Sequence, residues 1–267
     1  MKLDWEQQFL TENDCYKIGR TITPKGVMVH STGVAQPDPE VFISRWNRPD
    51  VEKCVHAFVS RERIIQTLPW TMRGWHAGTG TSGRSANNTH ISFECCEPAG
   101  HTYQGGEMIG YNVEANRPYF DDLYRNAVGL TAMLCQQFDL DPLEPGVVIC
   151  HAEGYGLGVA SNHGDVLQWW PKYGVTMDQF RRDVAQAMED SGSEDEEDDM
   201  SQERFEELMD NYLARRTQLG PSEWSAPARK WAEAAGIVAG DGDGSFRYRS
   251  FTTREETLQM LYQLKNM

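Results

Sequence analysis

Short apolar runs rich in β-branched residues, each bounded by turn-forming residues, recur through the first two thirds of the chain and predict buried strands. These runs lie at 26–32, 54–60, 63–70, 89–97 and 146–153. The second and third flank a short polar segment and predict a hairpin. Helical spacing of apolar residues predicts helices over 38–50, 119–138 and 176–188, the last with Thr176 as its N-cap. This arrangement predicts an α/β fold, in which helices flank a central mixed β-sheet.

The pattern changes at about residue 189. Residues 189–200 are mostly acidic and have no apolar stripe, which predicts a flexible linker because like charges repel and nothing can be buried. Helical spacing then resumes over 201–267, where the last helix begins after Thr252 or Thr253. We therefore predict two domains, 1–188 and 201–267, joined by an acidic linker.

Charge and composition exclude two classes of protein. The 267 residues carry a formal charge of −15. Twelve acids and one arginine give the segment Glu189–Asp210 a net charge of −11, so the acidity belongs to one segment. Nucleic-acid binding depends on a basic surface, so we expect no nucleic-acid partner. No run approaches the ~20 apolar residues that a transmembrane helix needs, so we expect no membrane insertion.

Cysteine usage and the first residues indicate where the protein is made. The six cysteines show no C-x-x-C spacing and most lie in apolar surroundings, which predicts reduced, buried thiols. The first ten residues, MKLDWEQQFL, lack the basic and apolar regions of a signal peptide. We therefore expect synthesis in the cytoplasm without a signal peptide.

Two histidines at the ends of predicted strands form a candidate metal site. His30 ends the first predicted strand and His151 ends the last, and the following segment SNHGD contains His163 and Asp165. Two imidazoles and one further side chain would leave a fourth position open, as a catalytic zinc requires in order to activate water. Spacing alone leaves open whether the third ligand is His163 or Asp165, and whether the histidines are only surface or core residues.

Four segments occur in a specific order along the chain: VMVHST, RGWHAG, NNTHISFE and ICHAEGYGLGVASNHGDVLQWWPKYG. Together they resemble the zinc-dependent N-acetylmuramoyl-L-alanine amidase family, which includes phage lysozyme-type amidases and the peptidoglycan recognition proteins. The resemblance covers about residues 25–188 and implies a peptidoglycan recognition protein-like fold with Zn²⁺ held by His30, His151 and Asp165. Relatives often carry lysine where this chain has His163, which implies that His163 stabilises an oxyanion.

Glu94, at the end of the segment ISFE, is the candidate general base, because a carboxylate there could pass a proton from water to the leaving amine. The alternative is a surface glutamate, in which case Glu97 is the next candidate. Phage-type relatives carry tyrosine directly before the histidine that matches His56. Val55 occupies that position here, so the resemblance assigns proton transfer to Glu94.

Four further residues are candidates for substrate binding. Trp75 and His76 resemble the family's cleft wall, where an aromatic surface stacks on a sugar or a stem peptide; the alternative is a core tryptophan with a capping histidine. His56 either hydrogen-bonds a metal ligand or fills a polar position in the core. Asn88 either binds peptide or serves as a turn residue. His101, in a glycine-rich loop, is predicted to lie on the surface.

The segment 225–264 resembles a single S-layer homology unit, with Trp231 in its first helix, a G-D-G-x-G-S-F-like turn and a T-R-E-E helix start. Such units commonly occur in threes and bind cell-wall polymers, so the resemblance implies a wall-binding domain. The alternative is a helical domain that forms a homo-oligomer.

The residues and the resemblance together predict a peptidoglycan hydrolase that cleaves the amide bond between N-acetylmuramic acid and L-alanine. Without a signal peptide, such a protein is expected to be a phage or prophage endolysin that reaches the bacterial cell wall through a holin-type pore. Two alternatives are a non-catalytic peptidoglycan recognition module and an amidase that recycles muropeptides.

Overall fold

The chain divides into two units, Met1–Asp195 and Glu196–Met267. The computed structural model describes residues 5–198, 202–240, 242 and 244–266. The described part of the first unit contains a β-sheet with helices, and that of the second unit is helical.

A six-stranded sheet forms the centre of the first unit, with the strand order β1–β4–β3–β5–β2–β8. These strands are β1 (Trp5–Gln7), β2 (Gly26–Ser31), β3 (Ala57–Val59), β4 (Ile64–Gln66), β5 (His90–Cys95) and β8 (Val148–Cys150). All pairings are parallel except the antiparallel pair β3–β4, so the predicted mixed sheet and hairpin are confirmed. Strands β6 (Thr102–Gln104) and β7 (Glu107–Ile109) form a separate antiparallel pair.

Strand β2 lies between β5 and β8 and is buried at all six positions. Its continuous apolar character follows from this position, because a central parallel strand has both faces covered. Val27 and Val29 belong to the larger core, whereas Met28 packs with a smaller cluster on the opposite face. Because side chains alternate along a strand, His30 lies on the same face as Met28.

Of the five α-helices that begin in the described part of the first unit, the second, third and fifth correspond to the predicted helices, with different ends. The first was not predicted, and the fourth begins in residues that were predicted as the end of a strand. The five helices are α1 (Asp14–Ile18), α2 (Pro39–Trp46), α3 (Val113–Gln137), α4 (His151–Gly156) and α5 (Met177–Asp198). Helix α3 begins six residues before its predicted start, because Asn112 accepts a hydrogen bond from the Ala115 N–H and begins the helix ahead of Pro118. Thr176 accepts from the Gln179 N–H, as an N-cap should.

Helix α5 also continues through most of the acidic segment that the sequence pattern predicts as a linker, up to Asp198. Glutamate has a high helix propensity, and the segment extends a helix whose first half packs in the core, so no new helix nucleus is needed. Residues 199–201 lie outside the described residues.

Three α-helices begin in the described part of the second unit: α6 (Gln202–Thr217), α7 (Ala226–Ala234) and α8 (Arg254–Lys265). Thr253 and Glu256 form a reciprocal capping box at the start of α8, which confirms the predicted helix start. All six cysteines are buried and free, as predicted. Across the described ranges, the helices lack the combination of length and apolarity that crossing a membrane requires.

Candidate metal centre and active site

A cleft of about 880 Å³ opens where the carboxyl ends of β2, β5 and β8 meet. His30 is the penultimate residue of β2 and pairs in register with Glu94 of β5. His151 begins α4 immediately after β8. The carboxyl edge of parallel strands is the usual position for a binding crevice in an open α/β sheet, because chain segments leave the sheet there.

His30, His151 and Asp165 come together at the floor of this cleft. The Oδ2 atom of Asp165 lies 2.7 Å from the Nδ1 atom of His30 and 3.1 Å from the Nδ1 atom of His151. The two Nδ1 atoms are 3.1 Å apart. In a tetrahedral zinc site with bonds of ~2.0–2.1 Å, ligand atoms lie about 3.4 Å apart. The three atoms therefore need only a small expansion to hold a zinc ion.

The protonation states in this cluster suit a cation. Burial by itself would raise the pKa of Asp165, but hydrogen bonds from His151 and His30 and their charges hold that pKa below its usual range. Burial lowers the pKa of His30, an effect that Asp165 partly offsets. An ionised carboxylate and a neutral imidazole are the forms that bind a metal.

The loop that carries Asp165 is held firmly against the sheet. Asp165 has a φ of 46°, in the left-handed region that costs energy for a residue with a side chain. The fully buried indoles of Trp169 and Trp170 anchor the two short 3₁₀ helices that follow. The Trp169 Nε1–H donates to the hydroxyl of Tyr111 at 2.8 Å. This packing compensates for the strained backbone and fixes the carboxylate.

Glu94 and His163 both line the cleft. Within the described residues, the buried Oε2 atom of Glu94 has no hydrogen-bond partner. Burial raises the pKa of Glu94 well above its usual value, and the charges of Asp165 and Glu97 act in the same direction. His163 is exposed, with its ring centroid 4.6 Å from that of His151.

The family model of the N-acetylmuramoyl-L-alanine amidases (Amidase_2) matches residues 20–168, more than half of the chain. The chain belongs to this family. It is 29% identical to the N-acetylmuramoyl-L-alanine amidase CwlH of Bacillus subtilis (strain 168) over 96 residues, and the aligned part covers 35% of this chain and 38% of CwlH. It is 32% identical to the N-acetylmuramoyl-L-alanine amidase XlyA of the same strain over 95 residues, and the aligned part covers 35% of this chain and 31% of XlyA.

The chain thus matches about a third of the length of these two curated relatives. Among solved structures, the PlyG catalytic domain superposes with a TM-score of 0.51 and 19% identity, covering 70% of this chain and 96% of that domain. This likeness supports the fold, and the predicted central sheet with flanking helices is confirmed.

His76 lies beside His30, one of the three residues of the candidate metal site. Its Nδ1 atom is 3.0 Å from the Nε2 atom of His30. The backbone N–H groups of His76 and Ala77 both donate at 2.8 Å to the Oδ1 atom of Asn87. The imidazole predicted to bind substrate is therefore placed to orient His30. Its neighbour Trp75 is partly exposed on the cleft wall.

The structure places two other predicted substrate-binding residues away from the cleft lining. His56 is fully buried, and its Nε2–H donates to the Met72 carbonyl at 2.7 Å, while its Nδ1 accepts from the Ser92 N–H at 3.0 Å. Burial lowers the pKa of His56 to about 4. His56 thus fills a polar position in the core. The Oδ1 atom of Asn88 accepts from the Arg73 Nε–H at 2.7 Å on the protein surface.

The prediction that His101 lies on the surface is wrong. Its ring is buried, with Nε2 3.0 Å from the Oε2 atom of Glu97. The other carboxylate oxygen of Glu97 accepts hydrogen bonds from the Gly33 N–H and the Tyr103 hydroxyl. Glu97 therefore holds the loop after β2, and its oxygens are engaged in the protein. The glycine-rich segment around His101 carries no signal that its ring would pack against the rings of Tyr103 and Tyr111.

We predict that Asp165→Ala weakens zinc binding by roughly 100-fold or more, since a direct ligand matters more than the supporting contacts that cost ~10–100-fold. His163→Ala should retain zinc, because His163 lies outside the cluster. Competition with a chromophoric chelator measures both affinities, and circular dichroism checks that both variants fold. Zinc loss in His163→Ala, with zinc retained in Asp165→Ala, would reverse the assignment.

Proposed function

We propose that the protein is a zinc-dependent amidase that hydrolyses the bond between the lactyl group of N-acetylmuramic acid and L-alanine in peptidoglycan. The observation that carries this proposal is the convergence of His30, His151 and Asp165 at the floor of an open cleft. Membership of the amidase family and the names of the two Bacillus relatives support the choice of substrate.

Zinc suits this site because two imidazoles and one carboxylate are among its common protein ligands. When bound, zinc polarises a carbonyl group and provides an activated water molecule. Because both histidines are buried, water does not compete with the metal ion for their ring nitrogens. The hydrogen bond from His30 to His76 orients one of the two rings.

Glu94 acts as the general base in this proposal. Its carboxylate lines the same cleft on the strand beside His30, and one of its oxygens is unpartnered in the described structure. The raised pKa moves this carboxyl towards the value that proton exchange near neutral pH requires. Glu94 then takes a proton from water and delivers it to the leaving amine of L-alanine.

His163 donates a hydrogen bond to the scissile carbonyl oxygen as negative charge develops there. Its exposed ring lies beside His151 at the cleft surface, where it can reach a bound substrate. Trp75 offers an aromatic surface on the cleft wall for the sugar or the stem peptide. The presence of a complete ligand set and an available carboxylate argues against a non-catalytic recognition module.

We predict that Glu94→Gln retains zinc but lowers kcat for release of L-alanine amino groups by about 10²–10⁴-fold, the usual contribution of a general base. Glutamine keeps the size of the side chain but cannot accept the proton. Zinc affinity and amino-group release from purified walls are measured on the same preparation. Full activity in this variant would remove Glu94 from the mechanism and leave His163 as the remaining proton carrier.

We propose that the second unit attaches the enzyme to the cell wall, as its likeness to one S-layer homology unit suggests. Trp224 is 86% exposed, and Trp231 and Phe251 are also exposed. Exposed aromatic residues provide stacking surfaces for polymers and partner proteins. An amidase confined to soluble muropeptides would have no use for such a surface, which disfavours a recycling function.

Self-association is the second role proposed for this unit. Helix α6 carries an exposed apolar stripe with helical spacing, formed by Phe205, Leu208, Met209, Tyr212 and Leu213. A helix with such a stripe gains most of its stability by burying it against a partner. A second copy of α6 would fit in antiparallel orientation, which places the acidic first half of one helix beside Arg215 and Arg216 of the other.

We further propose that the enzyme is a phage or prophage endolysin that is made in the cytoplasm and reaches the wall through a pore formed by a holin-type protein. Six free, buried cysteines suit folding in a reducing compartment. In this proposal residues 1–188 form the catalytic domain, 189–200 a spacer, and 201–267 the attachment domain.

Removing residues 199–267 should leave hydrolysis of small muropeptides within about twofold of the full chain, since the catalytic cluster lies in the first unit. Sedimentation with intact walls should fall at least tenfold, as expected when a second binding module is lost. Analytical ultracentrifugation of both proteins tests self-association. Unchanged wall binding would place attachment in the catalytic domain.

A further inference from the structure

We infer that Ser161 is a positioning residue that links His151 to His163 and sets the His163 ring with its proton on Nε2, directed to the substrate. The inference rests on the proposed function, because it specifies how His163 becomes a donor. The amino-acid sequence alone did not indicate Ser161 as a candidate residue.

The Oγ atom of Ser161 is a junction between two imidazoles. It lies 3.2 Å from the Nε2 atom of His151 and 3.1 Å from the Nδ1 atom of His163. The hydroxyl can also donate to the carbonyl oxygen of Ala77 at 3.3 Å, the longest of the three contacts. Ser161 is partly buried and lines the cleft, and all three of these contacts are with other residues of the protein.

The direction of the chain of hydrogen bonds follows from the ligand cluster. His151 presents Nδ1 to the cluster, so in the metal-binding form its proton is on Nε2. That N–H donates to the Ser161 oxygen, and the serine hydroxyl must then donate elsewhere. Of the two acceptors within reach, the Ala77 carbonyl lies farther away, at 3.3 Å, and already accepts the Ser161 backbone N–H, so the Nδ1 atom of His163 at 3.1 Å is the favoured acceptor.

Acceptance at Nδ1 decides the tautomer of His163. A neutral imidazole has one N–H and one lone pair, so the proton then resides on Nε2. In the reverse arrangement His163 Nδ1–H donates to Ser161, the hydroxyl donates to Ala77, and Nε2 becomes a lone pair. That arrangement would make His163 an acceptor, which cannot stabilise a developing oxyanion.

The backbone around Ser161 keeps the junction in place. The Ser161 N–H donates to Ala77, whose own N–H is held by Asn87. Gly78 follows with a φ of +64°, and a Cβ atom there would lie 3.0 Å from the Ser161 hydroxyl oxygen. These contacts join the segment that follows His76 to the segment that precedes His163. His76 and Ser161 are in this way held as the partners of the Nε2 atoms of His30 and His151.

Long-range ¹⁵N–¹H NMR of the histidine-labelled, zinc-loaded full chain tests the tautomer directly. The wild-type protein should show His163 as the Nε2–H form, with the signal assigned by its loss in His163→Gln. Ser161→Ala should convert it to a mixture of tautomers. A wild-type Nδ1–H form, or no change in Ser161→Ala, overturns the inference whether or not the protein hydrolyses peptidoglycan.

Kinetics at saturating zinc provide the second readout. Ser161→Ala should lower kcat roughly tenfold, the effect of losing one ordinary hydrogen bond, with KM within about twofold. Its zinc affinity should fall about tenfold because His151 loses its partner. Ser161→Thr keeps a hydroxyl and should recover the Nε2–H form and most of kcat. Ser44→Ala, on an exposed face of α2, is the matched control.

The pattern of results separates the possible failures. Ser161→Ala with a normal tautomer but low kcat would show a merely structural role and overturn the inference. Wild-type protein that shows the Nε2–H form but releases no L-alanine amino groups would overturn the proposed function and leave the positioning role standing.

Discussion

Three side-chain atoms held about 3 Å apart, two imidazole nitrogens and one carboxylate oxygen, are the arrangement on which the rest of this structure depends. These polar atoms are largely shielded from water, and burying them costs free energy unless hydrogen bonds or a bound cation compensate for the lost hydration. The parallel strands β2, β5 and β8 bring the donors to one edge. The two indoles after Asp165 then hold the third donor against them.

The contacts around the cluster explain why so many histidines gather in one domain. Each imidazole of the candidate metal site presents Nδ1 to the cluster and Nε2 to a partner, which is His76 for His30 and Ser161 for His151. Supporting partners of this kind fix ring orientation and raise the basicity of a ligand. His56 and His101 serve a different purpose, because their hydrogen bonds satisfy buried groups beside the cleft.

The two units of the chain show different balances between burial and exposure. The first unit buries apolar residues on both faces of its sheet. The second unit leaves several aromatic and aliphatic side chains exposed along α6 and α8. Such surfaces are usual where a protein meets a partner or a polymer. This contrast is the physical basis for proposing that hydrolysis and attachment are separate tasks of separate units.

The sequence by itself determined five of the described strands, most helix positions, the family and the candidate ligands His30, His151 and Asp165, because local hydrophobic pattern and ordered motifs carry that information. It did not predict the short strands β1, β6 and β7. Tertiary structure alone decided which nitrogen faces which neighbour. The roles of Ser161, Asn87 and Glu97 each depend on at least one contact with a residue 10 or more positions away, such as Ser161 with His151, Asn87 with His76 and Glu97 with Gly33, and no local pattern encodes these contacts. His101 became buried, and His56 became a core residue, for the same reason: burial depends on what the rest of the chain packs against a residue.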